Sequence, residues 1–408
     1  MSPTQRAILT IYAISAAIWP IRYVVVVIFE RLMDFLTPDS PRYAGGHPPL
    51  VTAIIPAKDE EGTLADCLRS ALAQDYPRLE VLVVDDRSDD ATPAIARSFA
   101  EADPRVRVVT IEHLPDGWTG KTHALQVASA EARGEWLWFI DADTRHEPAS
   151  LSVVMEYARK AGASLASVLP EMRVESFWER VVQPLAGVVL MQSYPFFRVN
   201  NDRSKLAFAN GQYILISREA YDAVGGHRAV RDKFVEDIYL AKLVKGSGRP
   251  IRAAFARGLG TTRMYTSLPS LVRGWSRILY DATGRNPWAL AWKAIDPLIF
   301  SQPAHVALVV ALVLLAIGSP GPFAGWLLAI SLAHHLFAAL TLHRLYRLST
   351  PGGPGVAWYP LAGLILDRIV FRAIRSCLTG EVTWRGTSYA GAGSAPDASL
   401  HAEPAPAD

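Results

Sequence analysis

The sequence predicts an α/β protein in which an open, doubly wound sheet is joined to transmembrane helices. Apolar runs of strand length alternate with helical stretches between residues 51 and 140, which is the pattern of a parallel sheet with crossover helices. Apolar segments of about 20 residues near both ends are long enough to span a bilayer. The composition agrees, because 50% of the 408 residues are hydrophobic and the mean hydropathy is +0.16.

Charge and cysteine content exclude several classes of function. The chain has 41 basic and 39 acidic residues, and this near balance provides no surface for a polyanion, so nucleic acid is not a predicted partner. Cys67 and Cys377 are the only cysteines and lie far apart in the sequence. They cannot build a disulfide framework or a thiolate metal site.

The N-terminal segment is predicted to be a membrane anchor within residues 1–35. Ile8 to Glu30 is apolar except for Arg22 and is interrupted by Pro20, and its length is sufficient for one span. It lacks a basic lead and a small-residue cleavage site, which disfavours a removable signal peptide.

Residues 48–293 are predicted to form the sheet domain. The predicted strands are Val51–Ala57, Leu79–Val84, Val106–Ile111 and Glu135–Ile140, with helices at Gly62–Gln74, Thr92–Ala102 and Lys121–Arg133. Ligands bind such sheets beyond the carboxyl ends of the strands. Asp85 and Asp86 follow the second strand, and Asp141 and Asp143 follow the fourth, so a binding site is predicted there.

Residues 294–380 are predicted to be a C-terminal membrane region. Two apolar runs within residues 298–342 form a hairpin around an uncharged Gly- and Pro-rich turn, and Arg344 and Arg347 follow the second run. The positive-inside rule therefore places the turn outside and residues 31–293 in the cytosol.

Two segments leave alternatives open, and a third is predicted to be disordered. Val356–Leu378 is apolar but carries a proline and four charges, so it spans, re-enters or lies along the interface. Residues 177–197 form either an interfacial segment or a buried helix. Residues 387–408 are rich in small residues and proline and are predicted to be a disordered tail.

Several motifs resemble the membrane-bound family 2 glycosyltransferases of the GT-A fold: IIPAKDEEGTLADCLRSALAQDYP, VVDDRSDDAT, GWTGKTHAL, FIDADT and ANGQYILISREAYDAVGGH. RMYTSL, GWSR and VTWRGTSY are similar to the lipid-glycosylating branch, which includes carotenoid, hopanoid-associated and ceramide glucosyltransferase-like proteins. The resemblance implies inverting, metal-dependent transfer of one sugar from a UDP-sugar to a lipid hydroxyl at the cytosolic face of the inner (plasma) membrane. Carotenoid, hopanoid or sphingolipid-like acceptors are the expected partners.

Asp141 and Asp143 are the predicted metal ligands. Two carboxylates two residues apart on an extended strand point the same way, so both can reach one ion. Mg²⁺ or Mn²⁺ prefers such oxygen ligands and would neutralise a leaving pyrophosphate. The resemblance gives metal binding to Asp143 and either ribose or metal binding to Asp141.

The nucleotide sugar is predicted to contact several further residues. The resemblance assigns a contact with the uracil ring to Asp85, whereas Asp86 is expected to support the turn. Pro56, Lys58 and Glu60 follow the first strand, where similar enzymes wrap the nucleoside. Lys121 opens a helix, where its ammonium and the backbone N–H groups can face a phosphate.

Glu236 and Asp237 are the predicted catalytic acids. An inverting transfer needs a carboxylate that takes the proton from the acceptor hydroxyl, and the resemblance gives that role to Asp237. The carotenoid branch, which esterifies a carboxylate, keeps the Glu and lacks the following Asp. An acceptor carboxylate needs no base, so Asp237 favours a hydroxyl acceptor.

Trp275 and Arg277 are predicted to bind the donor through stacking and a pyrophosphate contact. Arg273-Gly274-Trp275-Ser276-Arg277 does not match the Q/R-x-x-R-W motif of related synthases residue for residue. The alternative is a pair of juxtamembrane side chains that meet lipid headgroups. His334 and His335 are expected to pair with a neighbouring helix rather than bind metal.

Two other functions remain open at the level of the sequence. A processive polysaccharide synthase would need a secretion channel of several helices, which three or four spans do not supply. A catalytically silent membrane scaffold that has kept the fold is the alternative from a different class.

Overall fold

The computed structural model describes residues 1–319, 321–350, 355–380, 382–384 and 387–389. The chain forms two units. The sheet unit consists of Met33–Arg173 and Ser193–Met264, and the helical unit consists of Met1–Leu32, Val174–Gln192 and the described residues from Tyr265 onward.

Thirteen strands are described: β1 (Phe35–Leu36), β2 (Val51–Ala57), β3 (Leu79–Asp86), β4 (Val106–Ile111), β5 (Trp136–Phe139), β6 (Thr144–His146), β7 (Leu165–Leu169), β8 (Glu171–Met172), β9 (Ile214–Ser217), β10 (Ile251–Ala256), β11 (Gly260–Thr262), β12 (Val382–Trp384) and β13 (Thr387–Tyr389).

Fifteen α-helices are described: α1 (Pro3–Ala16), α2 (Ile18–Arg31), α3 (Leu64–Leu72), α4 (Thr92–Ala102), α5 (Gly120–Glu131), α6 (Ser150–Lys160), α7 (Phe177–Met191), α8 (Phe196–Val199), α9 (Arg218–Ala223), α10 (Glu236–Gly246), α11 (Leu268–Ala282), α12 (Pro287–Phe300), α13 (Gln302–Ala316), α14 (Pro322–Ser349) and α15 (Tyr359–Thr379). Short 3-10 helices lie at Gly226–Val230 and Gly355–Trp358.

The sheet unit is built on an eight-stranded mixed sheet with the order β1-β10-β7-β9-β5-β2-β3-β4. Among its described strands only β9 is antiparallel to its neighbours, β5 and β7. On one side of β2 lie β3 and then β4, in chain order. The next strand, β5, pairs with the opposite side of β2. The strand order therefore reverses between β2 and β5, which is where open α/β sheets place their ligands.

The sheet is covered by helices on both faces, and nearly every residue of its central strands β2 and β3 is buried. Ile55 and Val83 belong to a core that also contains buried residues of α3, α4 and α6. The helix α5 packs against β2 and β3 and buries Ala124 and Leu125. A continuous apolar strand such as β2 is typical of a parallel strand buried on both faces, and the α/β prediction is confirmed.

The helical unit contains three helical stretches that are long and apolar enough to cross a membrane: Pro3–Arg31, Pro287–Ala316 and Pro322–Leu348. Their lengths are 29, 30 and 27 residues. The three apolar runs predicted to span each overlap one of them. The third span continues almost to Ser349, so Arg344 and Arg347 lie in its last turns.

Polar side chains connect these helices, and His334 and His335 contact neighbouring helical segments as predicted. His334 Nε2 lies 2.9 Å from the Phe300 carbonyl oxygen, and His335 Nε2 lies 2.9 Å from His305 Nδ1. Arg22 of α2 pairs with Asp296 of α12. These contacts satisfy polar groups that would be costly to leave unpaired in lipid.

Two of the less regular predictions can be compared with the structure. Residues 177–191 form one helix, α7, which keeps Pro184 inside it. Residues 387–389, at the start of the segment predicted to be a tail, form β13, which pairs with β12. A short hairpin satisfies their backbone groups, which composition alone did not indicate. Residues 390–408 of that prediction lie outside the described part of the chain, as do Arg385 and Gly386 of the VTWRGTSY motif.

Candidate active site

The predicted site lies along the carboxyl edge of β2, β3 and β5. These strands are parallel to one another, so the segments that follow them leave the sheet at the same edge. A small recess at this edge is lined by side chains from β2, α5, the end of β5 and the start of α10, including Pro56, Lys121, Asp141 and Glu236. Four of the predicted site residues therefore surround one space.

The acidic pair at the end of β3 is buried and has local partners. Asp85 Oδ1 accepts a hydrogen bond of 3.2 Å from the backbone N–H of Ser88, which closes the turn after the strand. Asp86 accepts from Arg87 Nε at 2.8 Å. A Cβ atom at Gly120, the first residue of α5, would collide with Asp86 Oδ2. The Asp86 carboxylate thus lies against the N-terminus of α5, where a negative charge is favourable.

The loop after β2 is joined to the loop after β3. Lys58 Nζ donates to the backbone carbonyls of Asp86 (3.4 Å) and Arg87 (3.0 Å). The backbone N–H of Glu60 donates to Thr92 Oγ1 at 2.8 Å. Lys58 and Glu60 therefore hold two loops of the predicted nucleoside region together.

Asp141 and Asp143 follow β5 on a tight turn. The turn is fixed by Thr144, whose N–H and Oγ1 both donate to the Asp141 carbonyl oxygen, at 3.2 and 2.7 Å. Both aspartates are partly exposed, whereas Ala142 between them is buried. The small residue faces the core and leaves the two carboxylates at the surface of the edge.

Lys121 connects two of the acidic clusters. Its Nζ lies 2.7 Å from Asp141 Oδ1 and 2.8 Å from Glu236 Oε1. Burial alone would lower the pKa of Lys121, but the negative charges of Asp141 and Glu236 outweigh burial, so its pKa is raised and the amine stays protonated. The sequence placed Lys121 near a phosphate and did not predict that it bridges these carboxylates.

Glu236 and Asp237 occupy the first turn of α10, where the helix dipole favours carboxylates. Asp237 Oδ2 accepts a hydrogen bond of 2.7 Å from the backbone N–H of Gly211, and its Oδ1 accepts one of 2.8 Å from the N–H of Ile238. Burial and the neighbouring Glu236 charge raise the pKa of Asp237 to about 7, although Lys121 and these two hydrogen bonds act in the opposite direction.

Gly211 is a site residue that the sequence analysis did not single out. A Cβ atom at this position would lie 2.8 Å from Lys121 Nζ and 3.4 Å from both Asp237 Oδ2 and Glu236 Oε1. The residue must therefore be small for the lysine and the two acids to meet. The glycine of the segment Asn210-Gly211-Gln212 was the only sign in the sequence, and its reason lies in contacts with distant residues.

Asp141 and Asp143 can supply only some of the ligands that a divalent cation needs. Within the described segments, no group of three or more His, Cys, Asp or Glu side chains is arranged to hold a metal ion. Asp141 and Asp143 offer hard oxygen ligands, and Mg²⁺ commonly takes one or two carboxylates with its other ligands from phosphate and water. The residues therefore fit an ion that would be bound together with a diphosphate.

Trp275 and Arg277 belong to α11 in the helical unit. Trp275 is buried there, and its Nε1 donates to Gln183 Oε1 of α7 at 3.3 Å. Tyr265 packs against Gly274, where a Cβ atom would collide with its ring. The Trp275 side chain thus has a packing role within its own unit, and donor binding by Trp275 and Arg277 stays a prediction.

Comparison with known proteins gives the following matches. Residues 52–225 match the family model described as Glycosyl transferase family 2. The chain is 27% identical over 232 residues to the 4,4'-diaponeurosporenoate glycosyltransferase of Staphylococcus haemolyticus, covering 56% of this chain and 60% of that protein. It is 27% identical over 238 residues to the protein of that name from Staphylococcus aureus, covering 57% and 62%. The matches thus span about three fifths of these relatives.

A solved structure covers more of the chain. The mannosyltransferase PcManGT from Pyrobaculum calidifontis, in complex with GDP-Man and Mn²⁺, aligns over 91% of this chain and 98% of its own, with a TM-score of 0.50 and 20% identity. At this identity the likeness shows the fold, a GT-A-like mixed sheet with apolar helices.

Proposed function

We propose that this family 2 glycosyltransferase, a distant relative of the 4,4'-diaponeurosporenoate glycosyltransferases, transfers a single sugar from a UDP-sugar to a hydroxyl group of a membrane lipid. The observation that carries the proposal is the contact of Lys121 with both Asp141 and Glu236. This contact brings Asp141, which is predicted to lie at the donor diphosphate, close to Glu236, which belongs to the acidic pair predicted to lie at the acceptor. Donor and acceptor chemistry would thus be performed at one edge of the sheet.

The donor would be bound by the loops after β2, β3 and β5. Asp85 would contact the uracil ring, and Pro56, Lys58 and Glu60 would line the nucleoside. Asp143, with Asp141, would hold a Mg²⁺ or Mn²⁺ ion. Such an ion supplies positive charge that stabilises the leaving diphosphate. The solved relative that contains Mn²⁺ with a nucleotide sugar supports this assignment.

Asp237 would act as the general base. Its carboxylate takes the proton of the acceptor hydroxyl while the hydroxyl oxygen bonds to the anomeric carbon and the bond from that carbon to the diphosphate breaks. The two backbone N–H groups that bind the carboxylate fix its direction. Glu236 would keep Lys121 in place, and burial together with the Glu236 charge would hold the pKa of Asp237 near neutrality, where a base works best.

A membrane lipid is the best-supported class of acceptor. Three helical stretches of the described chain are long and apolar enough to span a bilayer, and the curated relatives are named for glycosylation of 4,4'-diaponeurosporenoate. Asp237 favours a hydroxyl over a carboxylate acceptor, because only the hydroxyl must lose a proton during the reaction. We place the sheet unit on the cytosolic side of the plasma membrane, since Arg344 and Arg347 lie in the last turns of the third span.

Transfer can be tested with membranes from cells that express the full chain. Each membrane sample receives one radiolabelled donor, either a UDP-hexose or GDP-mannose, with Mg²⁺ or Mn²⁺, and is then extracted with organic solvent. We expect label from a UDP-sugar in the extracted lipid. Asp143→Asn and Asp237→Asn should abolish it, and Asp222→Asn, an exposed residue of the same unit, should not.

Three outcomes would refute the proposal. Label found only in long insoluble chains would indicate a processive polysaccharide synthase. Label from GDP-mannose alone would exclude a UDP-sugar donor. Unchanged lipid labelling in both site variants would leave the scaffold as the better description.

A further inference from the structure

One face of α15 exposes a mixed stripe of arginines and large apolar side chains. The stripe consists of Leu364, Arg368, Phe371, Arg372, Arg375 and Leu378. The three apolar members are 61%, 72% and 76% exposed, in chain order. At 3.6 residues per turn, all six side chains fall within about a third of the helix circumference. We call this surface the α15 stripe.

The two kinds of side chain are separated within the stripe. Leu364, Phe371 and Leu378 are spaced seven residues apart and form one edge, and the arginines lie along the other. This division is typical of a helix that lies in a membrane interface, with its apolar edge in the acyl region and its cations among the headgroups.

The opposite face of α15 is fixed inside the helical unit. Ala362, Leu366, Ile369 and Ala373 are buried, and the helix packs against α7, α11 and α12. Ser276 of α11 also donates to the Ile369 carbonyl oxygen at 3.0 Å. Because this face is already covered, the stripe points away from the unit and its direction is set by packing.

The surroundings of α15 indicate that it begins at a membrane interface. The preceding span ends with Arg344 and Arg347, and the 3-10 helix at Gly355–Trp358 packs against that span. Trp358 and Phe177 are 49% and 43% exposed, and their ring centroids are 5.1 Å apart. Exposed aromatic rings and arginines at the end of a span mark the headgroup level. The 21 residues of α15 are not among the candidate spans of the described chain.

We propose that α15 lies in the plane of the membrane and that the α15 stripe binds the phosphate groups of anionic phospholipids. Arg368, Arg372 and Arg375 give the helix three positive charges against one negative charge, Asp367. The cations pair with lipid phosphates, and Leu364, Phe371 and Leu378 enter the acyl region beside them. This inference does not depend on which sugar or acceptor the enzyme uses.

The orientation can be measured on the full chain in bilayer nanodiscs. Nitroxide labels are attached singly to Leu364→Cys, Phe371→Cys and Leu378→Cys in a Cys377→Ser background, since Cys67 is buried. Depth follows from the accessibility of each label to oxygen and to a water-soluble nickel complex. We expect three equal, shallow depths within the membrane. A helix that spans would change depth by about 10 Å at each step of seven residues. Such a gradient, or three labels in water, would overturn the proposal.

Lipid selectivity is measured with spin-labelled phosphatidylglycerol and phosphatidylcholine, from the fraction of each that is immobilised by the protein. One arginine near an anionic surface contributes about 1 kcal/mol, which corresponds to about a fivefold preference. We expect at least this preference for phosphatidylglycerol in the native chain and its loss in Arg368→Gln/Arg372→Gln/Arg375→Gln.

The control variant also loses three positive charges, but from a different surface. It is Arg97→Gln/Arg133→Gln/Arg228→Gln, and these three residues are exposed on the sheet unit. It should keep the native selectivity. Equal selectivity in the stripe variant and the native chain, or equal loss in both triple variants, would show that the α15 stripe does not recognise the headgroup. Neither measurement requires sugar transfer, so a failure here is distinct from a failure of the proposed enzymatic function.

Discussion

Lys121 determines the electrostatics of the candidate site. It lies between Asp141 and Glu236, and its positive charge also acts on Asp237. Without it, three carboxylates at one edge of the sheet would repel one another. The lysine therefore allows Asp141, a predicted metal ligand, and Asp237, the predicted base, to lie close together.

The raised pKa of Asp237 predicts how activity depends on pH. A carboxyl group with a pKa of about 7 is protonated at lower pH and cannot then act as a base. We expect kcat/KM to be constant above about pH 7 and to fall about tenfold per pH unit below it, because kcat/KM reports the free enzyme. The measurement is lipid-linked label against pH at low donor concentration.

The variant Lys121→Met tests whether Asp237 is the group whose protonation lowers kcat/KM. The Lys121 charge lowers the pKa of Asp237, so its removal must raise that pKa and move the fall in kcat/KM to higher pH. An unchanged profile in this variant would contradict the identification of Asp237 as the titrating base.

Gly211→Ala tests the close approach of the backbone to Lys121. The added Cβ would lie 2.8 Å from Nζ, the flexible end of the lysine, so the chain can fold but the ammonium must move away from Asp141 and Glu236. We expect a loss of about tenfold or more in kcat/KM with an unchanged melting temperature. Gly46→Ala, where the new Cβ meets nothing within 4 Å, should have native activity. Equal activity in the two variants would refute the role of Gly211.

At the scale of elements, α10 fixes a neighbouring segment as well as presenting the two acids. Lys245, near the end of this helix, is buried and donates from Nζ to the carbonyl oxygens of Val199 (2.6 Å) and Leu206 (2.8 Å). The segment between these carbonyls leads toward Gly211. The same helix therefore positions Asp237 directly and its hydrogen-bond donor indirectly.

Lys245→Met should destabilise the protein through these two carbonyls. A buried acceptor left without a donor costs about 1–3 kcal/mol, so we expect a melting temperature several degrees lower in thermal unfolding of the purified chain in detergent. Lys205→Met, an exposed lysine of the same segment, is the control and should unfold like the native chain. If both variants melt at the native temperature, Lys245 does not hold this segment.

Sequence patterns predicted the first half of the sheet better than the second. The strands β2 to β5 are continuous apolar runs separated by clear helices, and their predicted positions agree with the structure to within two residues. The antiparallel strand β9 has only four residues, and its place between β5 and β7 depends on pairing with distant segments. The periodicity of hydrophobic residues along a short segment does not specify such a pairing. The contact of Lys121 with Glu236 was missed for the same reason.

At the scale of the whole molecule, the chain combines a sheet unit that carries all the acidic site residues with a helical unit that carries the three candidate spans. Polar contacts within the helical unit, such as the Arg22 pair with Asp296, occur where the sequence of an otherwise apolar span contains a charge. Charges within a span are costly unless they are paired. The pair of Arg22 with Asp296 therefore makes these two charges compatible with a bilayer.

The orientation of the three spans gives a prediction for the whole chain. Arg344 and Arg347 at the end of the third span favour the cytosol, and the turn between the second and third spans has no charge, so the turn should face the outside. A cysteine at the exposed Ser319 should react with a membrane-impermeant maleimide in intact cells.

A cysteine at Asp222, which is exposed on the sheet unit, is the matched control and should react only after the cells are permeabilised. Both variants carry Cys377→Ser, because that thiol is only half-buried. Labelling of Asp222→Cys but not of Ser319→Cys in intact cells would reverse this topology and would contradict the cytosolic placement of the sheet unit in the proposed function.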